Sequence, residues 1–233
     1  MGDCCIKSFR WDATPKGRSD KVAGLDCYIT GSNERVAIMM CMTSLDEQEM
    51  GATVLIPDFF GGETLAPDII LDDSRSNELD LPSFLARNSK DTRAPEIIVT
   101  AEVLRASYPH FGVIGFCIGG WGAFQIGAKN KQLADCISVA HPTMDEKTKI
   151  DALGVPVQIL APEIDPMFTQ ELKEYSNQFI PKLGIAYNYQ HFPRLEHGFA
   201  IRGNPDTHGE RKGMKRAKNA AAYWFREWLF DNE

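Results

Sequence analysis

The chain has 233 residues, of which 43% are hydrophobic and 24% are charged, and this composition predicts one globular domain over residues 1–233 with its own core. Its formal charge of −7 at pH 7 is spread along the sequence, which argues against nucleic acid as a partner. No apolar run approaches the roughly 18 residues of a membrane-spanning helix, and the first residues, MGDCCIKSFRWD, do not have the pattern of a secretory signal. We therefore expect a soluble, cytoplasmic protein without membrane contact.

The N-terminal third is predicted to consist of β-strands, because short apolar segments alternate with Gly, Asn and Asp. The predicted strands are Cys27–Thr30, Val36–Met42 and Thr53–Pro57. An acidic stretch with several prolines follows at 61–95, and it is predicted to contain at most one short helix, near Leu81–Asn88. Long irregular segments in compact domains are often functional, so this stretch is interpreted either as a lid over a pocket or as a solvated excursion.

From Phe111 onward the pattern alternates between strand and helix. Such alternation predicts an α/β fold with a mostly parallel sheet, helices on both faces and ligand binding beyond the carboxyl ends of the strands. The predicted strands are Phe111–Phe116, Asp135–Ala140, Val155–Ala161 and Ile185–Phe192, and the predicted helices are Gly119–Lys129, Gln170–Ile180 and Glu210–Phe230.

The strongest local signal is the sequence GFCIG at 115–119, between an apolar strand and a helix of small residues. In a nucleophile elbow, glycines on both sides allow close backbone packing and strained dihedral angles at the central residue. This turn would place Cys117 at a helix N-terminus, where the helix dipole stabilises the reactive thiolate. The N–H of Ile118 is then one oxyanion donor. The alternative is a buried structural cysteine in a tight packing turn.

A thiol nucleophile needs a histidine to accept its proton and a carboxylate to orient that histidine, and in this type of fold the acid precedes the histidine. Asp165 follows the strand Val155–Ala161 and is followed by Pro166, which favours a turn. Glu163 is the competing acid, closer to the strand end. His197 follows the next strand, so these side chains are expected at one edge of the sheet.

The remaining histidines fall into two groups. His110, His191 and His208 are interpreted as structural or solvated, because they precede a strand, lie within a strand and open the last helix. His141 ends the strand after the elbow helix, at the predicted active-site edge, and is expected to line the pocket.

The six cysteines are irregularly spaced, which is typical of free thiols in a reducing compartment. Cys4 and Cys5 are adjacent, but no second Cys or His pair follows at zinc-finger spacing, so no metal site is predicted.

With these residues assigned, the chain resembles the dienelactone hydrolase family, including its fungal and carboxymethylenebutenolidase-like members. The resemblance covers nearly the whole chain and is carried by YITGSN, VLIPDFFGGE, VIGFCIGGWGAF, VPVQILAPEIDP, EHGFAIRGNP and ERKGMKRAKNAAAYWFREWL. It implies an α/β-hydrolase fold in which Cys117 is the nucleophile, His197 the base and Asp165 the acid. The implied substrates are cyclic enol esters, lactones or related small esters, within specialised metabolism and with no metal or organic cofactor.

The chain departs from the family pattern at two places. Between its second and third predicted strands it has only MCMTSLDEQEMG, where family members carry a longer loop and a helix that contribute a second oxyanion N–H. Bacterial members also place an arginine four residues after the catalytic histidine, where this chain has Ile201 followed by Arg202. Arg202 is interpreted either as a ligand for a substrate carboxylate or as a surface charge. Arg202, His141 and Trp121 are the candidate substrate-binding residues.

The sequence therefore favours a hydrolase of small esters or lactones that forms an acyl-thioenzyme, as a monomer or a homodimer. The alternative is a weak or silent homologue that binds a small ligand or partner, which the short loop after Met42 favours. A redox-sensor role for Cys117 is a third interpretation, disfavoured because no resolving cysteine lies near it in sequence.

Overall fold

The computed structural model describes residues 16–41, 51–63, 75, 78, 80–144, 146–202 and 207–230. The strands in these ranges are Arg18–Val22 (β1), Leu25–Thr30 (β2), Val36–Cys41 (β3), Thr53–Pro57 (β4), His110–Phe116 (β5), Cys136–Ala140 (β6), Val157–Ile164 (β7) and Tyr187–Glu196 (β8). They form one eight-stranded sheet in the order β1-β2-β4-β3-β5-β6-β7-β8. The pairs β1–β2 and β2–β4 are antiparallel, and every other neighbouring pair is parallel. The prediction of a mostly parallel sheet is confirmed.

The helices pack on both faces of this sheet. Their bounds are Leu81–Arg87 (α1), Lys90–Ser107 (α2), Ile118–Ile126 (α3), Lys147–Asp151 (α4), Gln170–Phe179 (α5), Phe199–Arg202 (α6) and His208–Leu229 (α7), with a 3₁₀ turn at Ile180–Leu183. Helices α2 to α5 share one hydrophobic core, and α6 and α7 share the other. None of the helices in the described ranges is long and apolar enough to cross a membrane.

Strand β3 shows why the sheet needs both layers. Residues 37, 39 and 41 belong to one core and residues 36, 38 and 40 to the other, so every residue of the strand is buried. A half-exposed strand alternates between apolar and polar side chains, whereas a strand buried on both faces is apolar throughout. The continuous run VAIMMC is therefore the signature of a central strand.

Four elements of the fold are missing from the predictions: the strand β1, the long helix α2 and the short helices α4 and α6. β1 has the sequence RSDKV and is exposed at four of its five positions, so it carries no apolar pattern. It pairs with β2 across Ala23 and Gly24, both of which have positive φ angles of 51° and 84°. Positive φ at both central residues is the geometry of a type I′ hairpin turn, which normally favours Asn and Gly.

The larger error concerns α2, which begins at Lys90 within the stretch predicted to hold at most one short helix. Ser89 caps it by accepting a hydrogen bond from the Thr92 N–H at 3.3 Å. Pro95 lies inside this helix, and α2 nevertheless continues past it to Ser107. Residues 64–74, 76–77 and 79 lie outside the described residues, so the lid interpretation stays a prediction.

The ends of β7 and β8 were predicted too early, at Ala161 and Phe192. β7 pairs with β6 only as far as Leu160, whereas its pairing with β8 continues to Ile164 and Glu196 through an irregular register. These last residues form a two-stranded extension beyond the rest of the sheet, where the apolar pattern of a central strand no longer applies.

A hydrogen-bond network with a buried centre connects β6, β7 and the edge strand β8 to α7. The Ser138 hydroxyl donates to Gln158 Oε1 at 2.8 Å, and Gln158 Nε2 donates to the Ala220 carbonyl at 3.2 Å and to Asn188 Oδ1 at 3.4 Å. Ser138 and Gln158 are both buried. Buried polar groups stabilise a fold only while their partners are present.

We expect Gln158→Leu to lower the free energy of unfolding by about 1–3 kcal/mol, because it leaves the Ser138 hydroxyl buried without its partner. The double variant Ser138→Ala/Gln158→Leu should recover part of this loss, since both partners are then apolar. Urea unfolding followed by circular dichroism measures both effects. A Gln158→Leu protein as stable as the wild type would contradict this account.

Candidate active site

The turn between β5 and α3 places Cys117 at the N-terminus of α3 with φ 51° and ψ −122°, a strained conformation for a residue with a side chain. A Cβ atom on Gly115 would collide with the Gly119 carbonyl, and one on Gly119 would collide with the Cys41 carbonyl. Both positions therefore require glycine. The local structure is that of a nucleophile elbow.

The structure brings Cys117, His197 and Asp165 together at the carboxyl edge of the sheet. Cys117 Sγ lies 3.2 Å from His197 Nε2, and His197 Nδ1 lies 2.8 Å from Asp165 Oδ1. All three residues are buried, with exposed fractions of 6%, 5% and 8%. This geometry allows an imidazole to exchange a proton with the thiol while the carboxylate fixes its orientation.

The carboxylate of Asp165 is held by the turn that follows β7. Its Oδ1 atom accepts hydrogen bonds from the Met167 N–H at 2.8 Å and the Phe168 N–H at 3.0 Å, in addition to the contact with His197. Its Oδ2 atom is buried and has no hydrogen-bond partner among the described residues. Glu163, the competing acid, is exposed and accepts from the Arg194 N–H at 2.6 Å instead.

Lys173, on α5, is a buried cation that the sequence analysis does not single out. Its Nζ donates to the carbonyls of Pro162 at 2.6 Å and Glu163 at 2.9 Å, where the register of β7 is irregular. Burial lowers the pKa of this amine, and the negative charges of Asp165 and Glu163 act in the opposite direction. Lys173 thereby supports the backbone immediately before Asp165. The sequence signal that could have identified Lys173 is its helical spacing from Ser176 and Ile180, which places a charged residue on the buried face of the helix.

Electrostatics favour the protonated form of His197. Burial alone would lower the pKa of this imidazole, but its hydrogen bonds to Asp165 and Cys117 and their charges raise it to about 9, from an ordinary value of 6.5. Because folding raises the pKa of His197, protonation of this imidazole adds to the free energy of unfolding. This contribution is complete below pH 6.5 and is lost as the pH rises through about 9. Near neutral pH, a positive His197 next to Cys117 favours the thiolate.

His141 lies behind His197 and its side chain is fully buried. Its ring centroid is 4.9 Å from that of His197 in an edge-on arrangement and 5.7 Å from that of Phe199. We expected His141 to line the substrate pocket, but in this position it packs against the imidazole instead. His141 has a positive φ of 38° directly after β6, and its ring packs against Phe116 and Phe199, which belong to the second core.

Thr143 is a second neighbour of the sulfur that the sequence analysis overlooks. Its Oγ1 atom lies 3.3 Å from Cys117 Sγ, and its N–H donates to the Cys117 carbonyl at 2.8 Å. The sequence signal that could have identified Thr143 is its position two residues after His141, in a segment already predicted to lie at the active-site edge.

A cleft lies along the other side of the elbow. Trp121, on the first turns of α3, contributes one wall of this cleft, and Lys90 Nζ lies 5.5 Å from the centroid of its ring. The N–H of Ile118, at the first position of α3, has no carbonyl in the helix itself to bind. The other lining residues include Cys41, Phe59, Phe60 and Ile97.

Two predicted features fall outside the described part of the chain. The short loop after β3 lies in residues 42–50, and the side chain of Arg202 is not described, although its backbone ends α6. The same holds for Cys4 and Cys5. In the described ranges, no three His, Cys, Asp or Glu side chains are grouped so that they hold a metal ion.

Comparison with known proteins gives one consistent family. Residues 37–229 match the model of the dienelactone hydrolase family. The chain is 23% identical to the hydrolase tropI of Talaromyces stipitatus, with 97% of this chain and 96% of that protein covered. It is 24% identical to dienlactone hydrolase 1 of Gibberella moniliformis, with 97% and 93% covered.

Solved structures show the same fold at low sequence identity. The dienelactone hydrolase of Anabaena variabilis superposes with a TM-score of 0.60 at 13% identity, over 91% of this chain and 97% of that one. The thermophilic esterase Est2 of Thermogutta terrifontis gives a TM-score of 0.62 at 13% identity, over 93% and 94%. The expected α/β-hydrolase fold is confirmed.

We expect Asp165→Asn to lower the pKa of His197 below the wild-type value of about 9, because the carboxylate is one of the groups that raise it. An NMR titration of the imidazole resonances measures this change. Glu163→Gln is the matched control, since it neutralises an exposed carboxylate two residues away that does not contact His197. An equal decrease in both variants would show that Asp165 has no specific effect.

Proposed function

The chain belongs to the dienelactone hydrolase family, and we propose that it hydrolyses small esters or lactones through an acyl-thioenzyme on Cys117. The observation that carries this proposal is the buried hydrogen-bond chain from Cys117 through His197 to Asp165, with contacts of 3.2 and 2.8 Å. The strained elbow around the sulfur supports it further.

In the first step, His197 holds the proton of Cys117 and the thiolate attacks the carbonyl carbon of the ester. Negative charge develops on the carbonyl oxygen, where the Ile118 N–H is proposed to stabilise it. The C–O bond to the alcohol then breaks, and His197 donates its proton to the departing oxygen. The product on the protein is a thioester. With a lactone, the alcohol remains part of the bound acyl group.

In the second step, His197 accepts a proton from water and the resulting hydroxide attacks the thioester. The C–S bond breaks, the carboxylic acid is released, and the thiolate and protonated His197 are restored. Asp165 stabilises the positive charge that His197 carries in both steps, without being protonated itself. This assigns one role to each member of the buried chain.

Direct contact with the substrate is proposed for Trp121 and Arg202, and an indirect role for His141. Trp121 is suited to contact the apolar part of the acyl group, since it lines the cleft next to Ile118. Arg202 is proposed to bind a carboxylate on the substrate. His141 is proposed to act indirectly, by packing against His197, because its own side chain is fully buried.

The alternative of a weak or silent homologue depends on the loop at 42–50. Reaction of Cys117 with iodoacetamide near neutral pH, compared with ester turnover, separates the two functions. Burial raises the pKa of Cys41 to about 12 and that of Cys136 well above its ordinary value, so both are expected to react more slowly. A reactive Cys117 without turnover would indicate the silent homologue.

We expect Cys117→Ala to lower kcat/KM for p-nitrophenyl acetate by at least about a thousandfold, because covalent catalysis is lost. Cys136→Ala removes another buried thiol, on β6, and should keep the activity. Mass spectrometry of wild-type protein quenched during turnover should find the acetyl group on the peptide that contains residue 117. Wild-type turnover by Cys117→Ala would disprove the proposal.

We also expect the losses from His197→Ala and Asp165→Asn not to add. Groups that act as one unit lose most of their effect when any one is removed, so the double variant should be little slower than His197→Ala. Steady-state kcat values for the two single variants and the double variant test this. Full additivity of the logarithms would mean that the two residues act separately.

A further inference from the structure

Thr143 contacts both the side chain and the main chain of the proposed nucleophile. Its hydroxyl lies 3.3 Å from Cys117 Sγ, and its N–H donates to the Cys117 carbonyl at 2.8 Å. Thr143 is only 6% exposed, so water competes little for its hydroxyl. No hydrogen bond joins this hydroxyl to any other residue that the structure describes.

The segment at 141–144 holds Thr143 in place from both ends. The His141 N–H donates to the Leu160 carbonyl on β7 at 2.9 Å, and the Met144 N–H donates to the Met167 carbonyl at 3.0 Å. Met167 belongs to the turn that binds Asp165. The hydroxyl is therefore positioned by backbone hydrogen bonds to the same strand and turn that position the acid.

We propose that Thr143 is a further catalytic residue, whose hydroxyl donates a hydrogen bond to the thiolate form of Cys117. This role rests on the proposed hydrolysis. Once the thiol proton has moved to His197, the sulfur is only an acceptor, whereas the threonine hydroxyl still has a proton to donate. A hydrogen bond to an ionised partner is about twice as strong as one between neutral groups, so Thr143 stabilises the thiolate more than the thiol.

The thiolate appears at two points of the reaction, as nucleophile in the first step and as leaving group in the second. In the thioester between them the sulfur is uncharged, and its hydrogen bond to Thr143 is weaker. The residue therefore stabilises the sulfur in the state from which acylation starts and to which deacylation returns. His197 contacts the sulfur directly, and two further titratable groups, Asp165 and His141, contact that imidazole.

The test is the pH dependence of Cys117 alkylation by iodoacetamide, in which a C–S bond forms and iodide leaves. Thr143→Val has nearly the same shape but no hydroxyl. We expect it to raise the midpoint of the rate profile by about one pH unit, which is the loss of one hydrogen bond to a charged group. The plateau at high pH should be equal or up to about threefold higher, because a thiolate of higher pKa is more nucleophilic.

Thr143→Ser restores the hydroxyl and should return the midpoint towards the wild-type value. Thr100→Val is the matched control, because it removes a buried hydroxyl that donates to the Glu96 carbonyl within α2, away from the sulfur. Its midpoint should not move. If Thr143→Val does not fold, as judged by circular dichroism, Thr143→Ala lacks the same hydroxyl and should show the same shift.

An unchanged midpoint in a folded variant without the hydroxyl would overturn the proposal, as would an equal shift in Thr100→Val. A lower plateau with no shift would indicate a structural role only and would also overturn it. Alkylation requires no ester turnover, so the two proposals fail separately. If the midpoint shifts but the wild-type chain does not turn over esters, the Thr143 hydrogen bond is supported and the proposed hydrolysis is contradicted. If the wild-type chain turns over esters but the midpoint does not shift, the hydrolysis is supported and the Thr143 hydrogen bond is contradicted.

Discussion

The close contact between the start of α3 and the end of β3 is the constraint on which the rest of this structure depends. Only a glycine at position 119 allows the helix to approach the Cys41 carbonyl, and only a glycine at position 115 allows the chain to turn so sharply. The strained backbone of Cys117 costs about 1–3 kcal/mol. The Cys117 carbonyl accepts hydrogen bonds from the Thr143 and Gly120 N–H groups, and two such bonds, at about 0.5–1.5 kcal/mol each, offset much of this cost.

The same edge of the sheet shows how the groups of a buried polar site stabilise one another. Desolvation works against the charged form of His197, yet hydrogen bonds to Asp165 and Cys117 outweigh it. Asp165 is in turn held by two backbone N–H groups. Lys173 binds two carbonyl groups just before that aspartate. Each polar group thus orients the next, so the site is ordered before any substrate arrives.

Much of this arrangement could be predicted from the sequence, because a nucleophile elbow and a parallel sheet both have strong local patterns. The apolar strand before GFCIG and the order of Cys117, Asp165 and His197 were sufficient to place the three at one edge. α2 was missed although Ile97, Ala101 and Leu104 recur at helical spacing, because its first residues belong to the acidic stretch with several prolines at 61–95. β1 has no apolar pattern and is defined by its pairing alone.

The polar neighbours of the site could not be predicted in the same way. Thr143 and Lys173 are common residue types whose importance depends on which atoms they meet after folding. Thr143 reaches the sulfur from a segment 26 residues away in sequence. Lys173 binds backbone carbonyl groups of β7, and because every residue has such a group, the sequence does not indicate which ones a lysine will bind. Single-sequence patterns report periodicity and turns, so they indicate that Lys173 lies on a buried helix face and that Thr143 follows a strand, but not which atoms these side chains contact.

The extension of β7 and β8 beyond the sheet has an evolutionary consequence. Asp165 and His197 each follow the last paired residues of these two strands, Ile164 and Glu196, and the His197 N–H donates to the Ile164 carbonyl at 3.0 Å. One strand pair therefore sets the relative positions of Asp165 and His197, while the position of Cys117 depends on the turn after β5. Divergence that replaced the sulfur would leave this pair intact, with an oriented imidazole beside a vacated position.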